Sequence, residues 1–404
     1  MGTGVWQLLL NMLHKPRQVA RAIVAVGFIS AVYKWYATLK DEMRVTANKS
    51  MKLNPVFQTW MKDSRTLKEG YSPTAWLSIG RRFFVGTAST IGHAVARAIK
   101  PYPKVQFERE TFKLDCGATI GLDWAHKSKE ERDDETKPLV LLHHGLAGSS
   151  ESHYIQAMVH KLLETNRYRV CVMVARGCGG VPLTTPYGFT ASGYNDLKQV
   201  AEHLREENGE KAKIYAVGYS LAGGILANYL GRTGDECALS GAVVVSPSWD
   251  FNLMTPYFDI WSKGYLAKGL IKYAMDNEEA LKQHGELDFE KLKNIKTVRE
   301  FDTHAVVPVH GYSSVDHYYN DSSAIQVAQD IYVPTLALSA ADDPICCVDG
   351  SLRIEQDQLH GPGLAIATTS RGGHVAWPEG LSGHESYMDR VIVEWLDACT
   401  KALS

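Results

Sequence analysis

Lys213-Ile214-Tyr215-Ala216-Val217 runs directly into Gly218-Tyr219-Ser220-Leu221-Ala222-Gly223, and a helix-like stretch from Gly224 to Arg232 follows at once. An apolar strand that must reverse into a helix within so few residues makes a sharp turn. The residue at its apex is pushed into a strained backbone, and its neighbours have to be small. Gly218, Ala222 and Gly223 meet that demand, although Ala222 stands where a further glycine is usual. Ser220 is thereby expected to present its hydroxyl at the N-terminus of a helix.

The chain around this turn alternates between short apolar runs and amphipathic stretches. Val105–Leu114 and Thr119–His126 alternate in polarity and predict a hairpin turning at Cys116-Gly117. Leu139-Val140-Leu141-Leu142-His143 is a fully apolar run of the kind that forms a buried parallel strand. Helix-like Ser152–Glu164, strand-like Tyr168–Val174 and helix-like Ser192–Glu206 follow. Beyond Ser220 come the strand-like runs Gly241–Ser246, Thr335–Ser339 and Leu364–Thr368, then a final helix over Glu385–Lys401. This order predicts an α/β protein with a mostly parallel, doubly wound sheet.

The alternation breaks between Ser246 and Val333. Helical pieces there carry two aromatic clusters, Trp249-Phe251-Tyr257-Phe258-Trp261 and Tyr312-His317-Tyr318-Tyr319. An insertion beyond the carboxyl ends of sheet strands covers the ligand crevice. The expected division is therefore a core of residues 105–246 and 333–404, a cap over 247–332, a lead-in over 41–104 and an N-terminal segment over 1–40.

Composition excludes several classes. A net charge of −2 with 22% charged residues gives no basic field for nucleic acid. Seven cysteines occur without a CxxC pair, and the histidines show neither HxH nor HExxH spacing, so neither metal nor cofactor is expected. The N-terminus is the anomaly. Val19–Ala37 approaches membrane-spanning length, with Arg21 and Lys34 near its edges and Tyr33-Lys34-Trp35-Tyr36 suited to an interface. A signal anchor, an in-plane amphipathic helix and a packed helix all fit; membrane association is the expectation, with no cleavage site following.

A serine hydroxyl needs a base, and the base needs an acid to hold its tautomer. On a sheet of this kind the order is serine, acid, histidine, each beyond a strand end. Ala340-Ala341-Asp342-Asp343-Pro344-Ile345 follows one strand, and Arg371-Gly372-Gly373-His374 follows the next. His374 is the expected base, ahead of His384 and His360. Asp343, one residue further beyond the strand and followed by Pro-Ile, is the expected acid; Asp342 is its rival and Asp250 a third candidate. For a developing oxyanion, the Leu221 amide is one expected donor. The other is Leu146, in the loop His144-Gly145-Leu146-Ala147-Gly148-Ser149 after the apolar strand, where Gly145 keeps the main chain accessible.

These segments resemble a known family. His144-Gly145-Leu146-Ala147-Gly148-Ser149, Ala175-Arg176-Gly177-Cys178-Gly179-Gly180, the Ser220 turn, His310-Gly311-Tyr312, Ala341-Asp342-Asp343-Pro344 and Gly372-Gly373-His374 occur in order. The chain from Tyr71-Ser72-Pro73-Thr74-Ala75-Trp76 onward is similar to the AB hydrolase 4 family. That family includes membrane-anchored abhydrolase-domain-containing proteins, yeast medium-chain ethyl ester synthases and plant embryogenesis-associated relatives. The resemblance implies the alpha/beta-hydrolase fold and a triad of Ser220, Asp343 and His374. It implies action on acylglycerols, phospholipids or medium-chain esters, and supports an N-terminal membrane segment. Hydrolysis through an acyl-enzyme is the expected activity. Acyl transfer to an alcohol, or a non-catalytic lipid-binding role, are the alternatives. One departure stands out: many relatives have Gly-x-x-Gln-Thr soon after the tryptophan, where this chain reads Gly80-Arg81-Arg82-Phe83-Phe84-Val85-Gly86-Thr87.

Overall fold

The computed structural model describes residues 40–74, 85–126, 134–258, 260–346, 361–380 and 382–403. The N-terminal stretch expected at a membrane, Ala75 and Trp76 of the aromatic motif, and His360 lie outside these residues. Among the described residues no helix is long and apolar enough to cross a membrane.

A nine-stranded sheet organises the chain. Its strands are β1 (Arg44–Ala47), β2 (Phe107–Lys113), β3 (Thr119–Ala125), β4 (Leu139–His143), β5 (Arg169–Val174), β6 (Ile214–Tyr219), β7 (Gly241–Val245), β8 (Thr335–Ala340) and β9 (Leu364–Thr369). The spatial order is β1-β9-β8-β7-β6-β4-β5-β3-β2. From β5 through β9 neighbouring strands are parallel, while β2, β3 and β1 run antiparallel to their partners. The β2–β3 hairpin turns at Gly117, whose φ of 82° favours glycine.

The helices that matter for the site are α1 (Pro55–Asp63), α2 (Val85–Ile99), α3 (His153–Thr165), α4 (Tyr194–Asn208), α5 (Leu221–Thr233), α6 (Ile260–Asp276), α7 (Val315–Ser322) and α8 (Tyr387–Ala402). Both faces of the sheet are covered, so the central strands read as continuous apolar runs. Along β4, Leu139 and Leu141 enter one hydrophobic cluster while Val140 and Leu142 enter the other.

The described part of the lead-in contains a strand and several helices. Its β1 closes the sheet edge, with Arg44 opposite Thr368 and Ala47 opposite Ala365. Asn54 caps α1 by accepting from the Val56 amide, and Pro55 occupies the first turn. Trp60 of α1 then packs edge-on against Trp395 of α8 at 5.3 Å. Helix α2 is fastened to α8 by a buried Arg97–Asp389 ion pair at 2.6 Å.

Candidate active site

Ser220, Asp343, His374 and Leu146 follow β6, β8, β9 and β4, strands whose carboxyl ends lie on one edge of the sheet. Chain order and strand polarity thus collect four distant segments. At Ser220 the backbone has φ 56° and ψ −120°, a strained conformation for a residue with a Cβ. Its amide donates to Val245 O at 2.8 Å, tying the turn to β7. A Cβ on Gly218 would stand 2.5 Å from Ala222 O, so only glycine fits there. At Gly223 the nearest atoms, Gly218 O and Pro247 Cα, lie 3.2 Å from such a Cβ. Ala222 itself is fully buried inside α5, so a methyl at that position is accommodated.

His374 Nε2 lies 2.7 Å from Ser220 Oγ. Its Nδ1 lies 2.9 and 3.1 Å from the two oxygens of Asp343. A carboxylate accepts, so Nδ1 carries the proton and Nε2 turns its lone pair toward the serine hydroxyl. Asp343 is aimed by the Ile345 and Cys346 amides, which donate to Oδ1 at 2.8 and 2.9 Å. The neighbouring Asp342 does different work. Its Oδ1 accepts from the Gly373 amide at 2.9 Å, gripping the glycine pair ahead of His374. Burial first, and then the charge of Asp343, push the Asp342 carboxyl up to about 6. Asp250, the third candidate acid, caps a short helix by accepting from the Leu253 amide.

Leu146 and Leu221 border the same space as Ser220. Leu221 opens α5, where an amide has no preceding carbonyl of its own helix to bond. The Leu146 amide makes no hydrogen bond among the described residues. Gly145 lets the two segments approach, since a Cβ there would meet Ser220 Cβ at 3.1 Å.

Several positioning residues were not evident in the sequence. His144 is buried and held down at about 4 by burial, so it is neutral. Its Nδ1 faces Gly145 O at 2.8 Å while Nε2 accepts from the Ala175 amide at 3.1 Å, fastening the Leu146 loop to the end of β5. Tyr154 Oη accepts from the Gly145 amide at 2.9 Å. On the histidine side, the His374 amide donates to Thr90 Oγ1 at 2.8 Å, and that hydroxyl donates to Gly86 O. A Cβ on Gly86 would overlap Asp342 O at 1.6 Å, so the first turn of α2 lies directly on the acid loop. No residue pattern announces these contacts; the departure at Gly80–Thr87 was the one hint near them.

Ser220 lines a cavity of about 610 Å³, part of it open to solvent. Most of its wall comes from residues between 247 and 332, including Phe251, Met254, Phe258, Leu270 and Phe301. A second cavity of about 350 Å³ shares Phe189, Thr190, Phe301 and Val306 with the first. Among the described residues, groups with ligand-type atoms within 4.8 Å of one another are Asp343-Cys346-His374 and Glu110-His203-Glu207. In the first, both imidazole nitrogens are engaged and Cys346 Sγ lies 3.0 Å from Ser246 O. The second is a partly exposed set with His203 on α4 beside two glutamates, an arrangement common on surfaces without any ion.

Residues 138–360 match the alpha/beta hydrolase fold family. Phospholipase ABHD3 of Bos taurus is 30% identical over 386 residues, covering 93% of this chain and 89% of that protein. Monoacylglycerol lipase of Saccharomyces cerevisiae is 33% identical over 265 residues, 63% of this chain and 58% of that protein. Medium-chain fatty acid ethyl ester synthase/esterase 2 of the same yeast is 28% identical over 324 residues, 72% of this chain and 70% of that protein. The strand order, the strained serine after β6 and the extent of these matches agree, and the chain belongs to the alpha/beta hydrolases, in the AB hydrolase 4 family, as a serine hydrolase.

Proposed function

We propose that the protein hydrolyses lipid acyl esters through an acyl-enzyme on Ser220. The observation that carries this reading is a continuous relay, Ser220 Oγ to His374 Nε2 at 2.7 Å and His374 Nδ1 to Asp343 at 2.9 Å, whose serine lines a largely apolar cavity. Ser220 Oγ attacks the acyl carbonyl while His374 Nε2 takes its proton. Asp343 holds the imidazole and stabilises it when charged. The Leu221 and Leu146 amides receive the oxyanion. His374 then protonates the leaving alcohol, takes a proton from the water that attacks the acyl-enzyme, and delivers that proton to Ser220 Oγ as the acid leaves.

Residues 247–332 act as a cap over the 105–246 and 333–404 core, and their apolar wall suits an acyl chain. Residues 1–40 attach the enzyme to the membrane that holds its substrate. The names of the relatives, a phospholipase and a monoacylglycerol lipase, support glycerol esters as the substrate class. The yeast ester synthase/esterase favours a second use of the same acyl-enzyme, transfer to a short alcohol.

A panel of mono-, di- and phospho-acylglycerols, and of acyl-CoA with ethanol, tests this with wild type and Ser220→Ala. The expected result is Ser220-dependent release of fatty acid from at least one glycerol ester. Ester formation exceeding fatty acid release would favour the transferase, and equal turnover by Ser220→Ala would refute both.

A further inference from the structure

Asp302 is a buried acid that the relay does not use. It is 6% exposed and lies in the wall of the larger cavity, where most neighbours are apolar. It opens the π-helical turn Asp302–Val306, a distortion often found at functional positions. Tyr319 Oη donates to Oδ2 at 2.8 Å. Among the described residues no cation forms an ion pair with it; nearby Arg299 is bound to Asp316 at 2.6 Å. A carboxylate offers about four acceptor positions, and Tyr319 uses one.

We propose that Asp302 receives the alcohol part of the substrate by hydrogen-bonding a free hydroxyl of a glycerol-type ester. This rests on the ester-hydrolase reading and extends it to specificity. A carboxyl facing only an acyl chain is costly, because nothing replaces its lost water. The acyl chain has an alternative. Phe301 and Val306, at the two ends of this turn, also line the second cavity, where Leu281, Leu287 and Leu292 make an apolar wall. The chain and the polar end of one substrate can thus separate around the turn that carries Asp302.

A hydroxyl suits this position better than a cationic headgroup. The Arg299 guanidinium lies over the Tyr319 ring at 5.4 Å, and Tyr319 holds Asp302, so positive charge is already close. Burial also pushes the Asp302 carboxyl up to about 7, which leaves it a poor counter-ion near neutrality. A hydroxyl can donate to the carboxylate or accept from the acid, and so binds either form. Tyr318, in the same wall, accepts from the Ala191 amide through its oxygen, which holds its ring in place beside the cavity.

The test uses the full chain with Asp302→Asn and Asp302→Leu, comparing monodecanoylglycerol, methyl decanoate and decanoyl lysophosphatidylcholine. The expected result is a fall of roughly tenfold or more in kcat/KM for the monoacylglycerol in Asp302→Leu, a smaller fall in Asp302→Asn, and little change for the methyl ester. Equal losses on both neutral esters would make Asp302 structural. A loss confined to the lysophospholipid would make it a cation site. Calorimetric binding of a decyl glyceryl ether and its hydroxyl-methylated form reads the same contact without turnover. Weaker binding of the free-hydroxyl ether alone to Asp302→Leu supports the assignment even if hydrolysis fails; unchanged binding overturns it.

Discussion

Asp342 and Asp343 carry the same functional group one residue apart, and their surroundings divide their roles. Asp343 faces His374, while Asp342 faces the Gly373 amide. Asp343→Asn is expected to lower kcat by on the order of 10⁴-fold, because an amide favours the wrong imidazole tautomer. Asp342→Asn retains an acceptor for Gly373 and should cost less than about tenfold. Steady-state kinetics on both variants decides this, and the reverse ranking would exchange their roles. The serine, aspartate and histidine that the structure brings together were all expected from the sequence, because activating a hydroxyl calls for such side chains at fixed places after strands. His144 and Thr90 were not, since a histidine neutralised by burial and a threonine inside a helix look ordinary until folding brings their partners.

Buried carboxyls also make a pH prediction. Burial raises Asp302 from an ordinary value of 3.8 to about 7. Below both values neither folded nor unfolded chain is ionised there, so the group contributes no difference. As pH rises through that window the unfolded chain ionises first, and the folded state loses relative stability. Asp302→Asn should therefore gain on the order of 4 kcal/mol over wild type near pH 8 and about nothing well below pH 4. Urea denaturation at the two pH values measures it; a gain that is independent of pH contradicts the buried-charge account.

Helix α2 shows why the lead-in carries no ordinary amphipathic signal in the sequence. Its inward positions are polar, with Ser89, His93 and Arg97 buried, while Ile91, Val95 and Ile99 are exposed. The apolar stripe therefore marks the face opposite the core, which inverts the usual reading of amphipathic periodicity. Strand β1 was hidden for another reason: four residues containing Arg44 and Thr46 become a strand only through pairing with β9. The strand-turn-helix at Ser220 needed no such partner to be recognised. Arg97→Ala strands Asp389 without its cation and should destabilise by about 3–5 kcal/mol. Arg97→Met with Asp389→Leu should recover most of that, as read by chemical denaturation. Equal destabilisation of the single and double variants would mean that the ion pair is not what holds α2 to α8.

At the scale of the molecule, a parallel sheet gathers distant strand ends, and residues between 247 and 332 supply most of the apolar wall of the cavity beside Ser220. Val298 lines the larger cavity, so Val298→Phe should shift preference toward shorter acyl chains, raising KM for long ones more than it changes kcat. A chain beginning at residue 41 should keep turnover of soluble esters and lose flotation with phospholipid vesicles if residues 1–40 provide the attachment. The most direct measurement is the site and rate of modification by a fluorophosphonate, mapped by mass spectrometry. The account predicts a single adduct on Ser220, absent in Ser220→Ala and formed at least about a hundredfold more slowly in His374→Ala. An adduct on another residue, or an unchanged rate without His374, would contradict it.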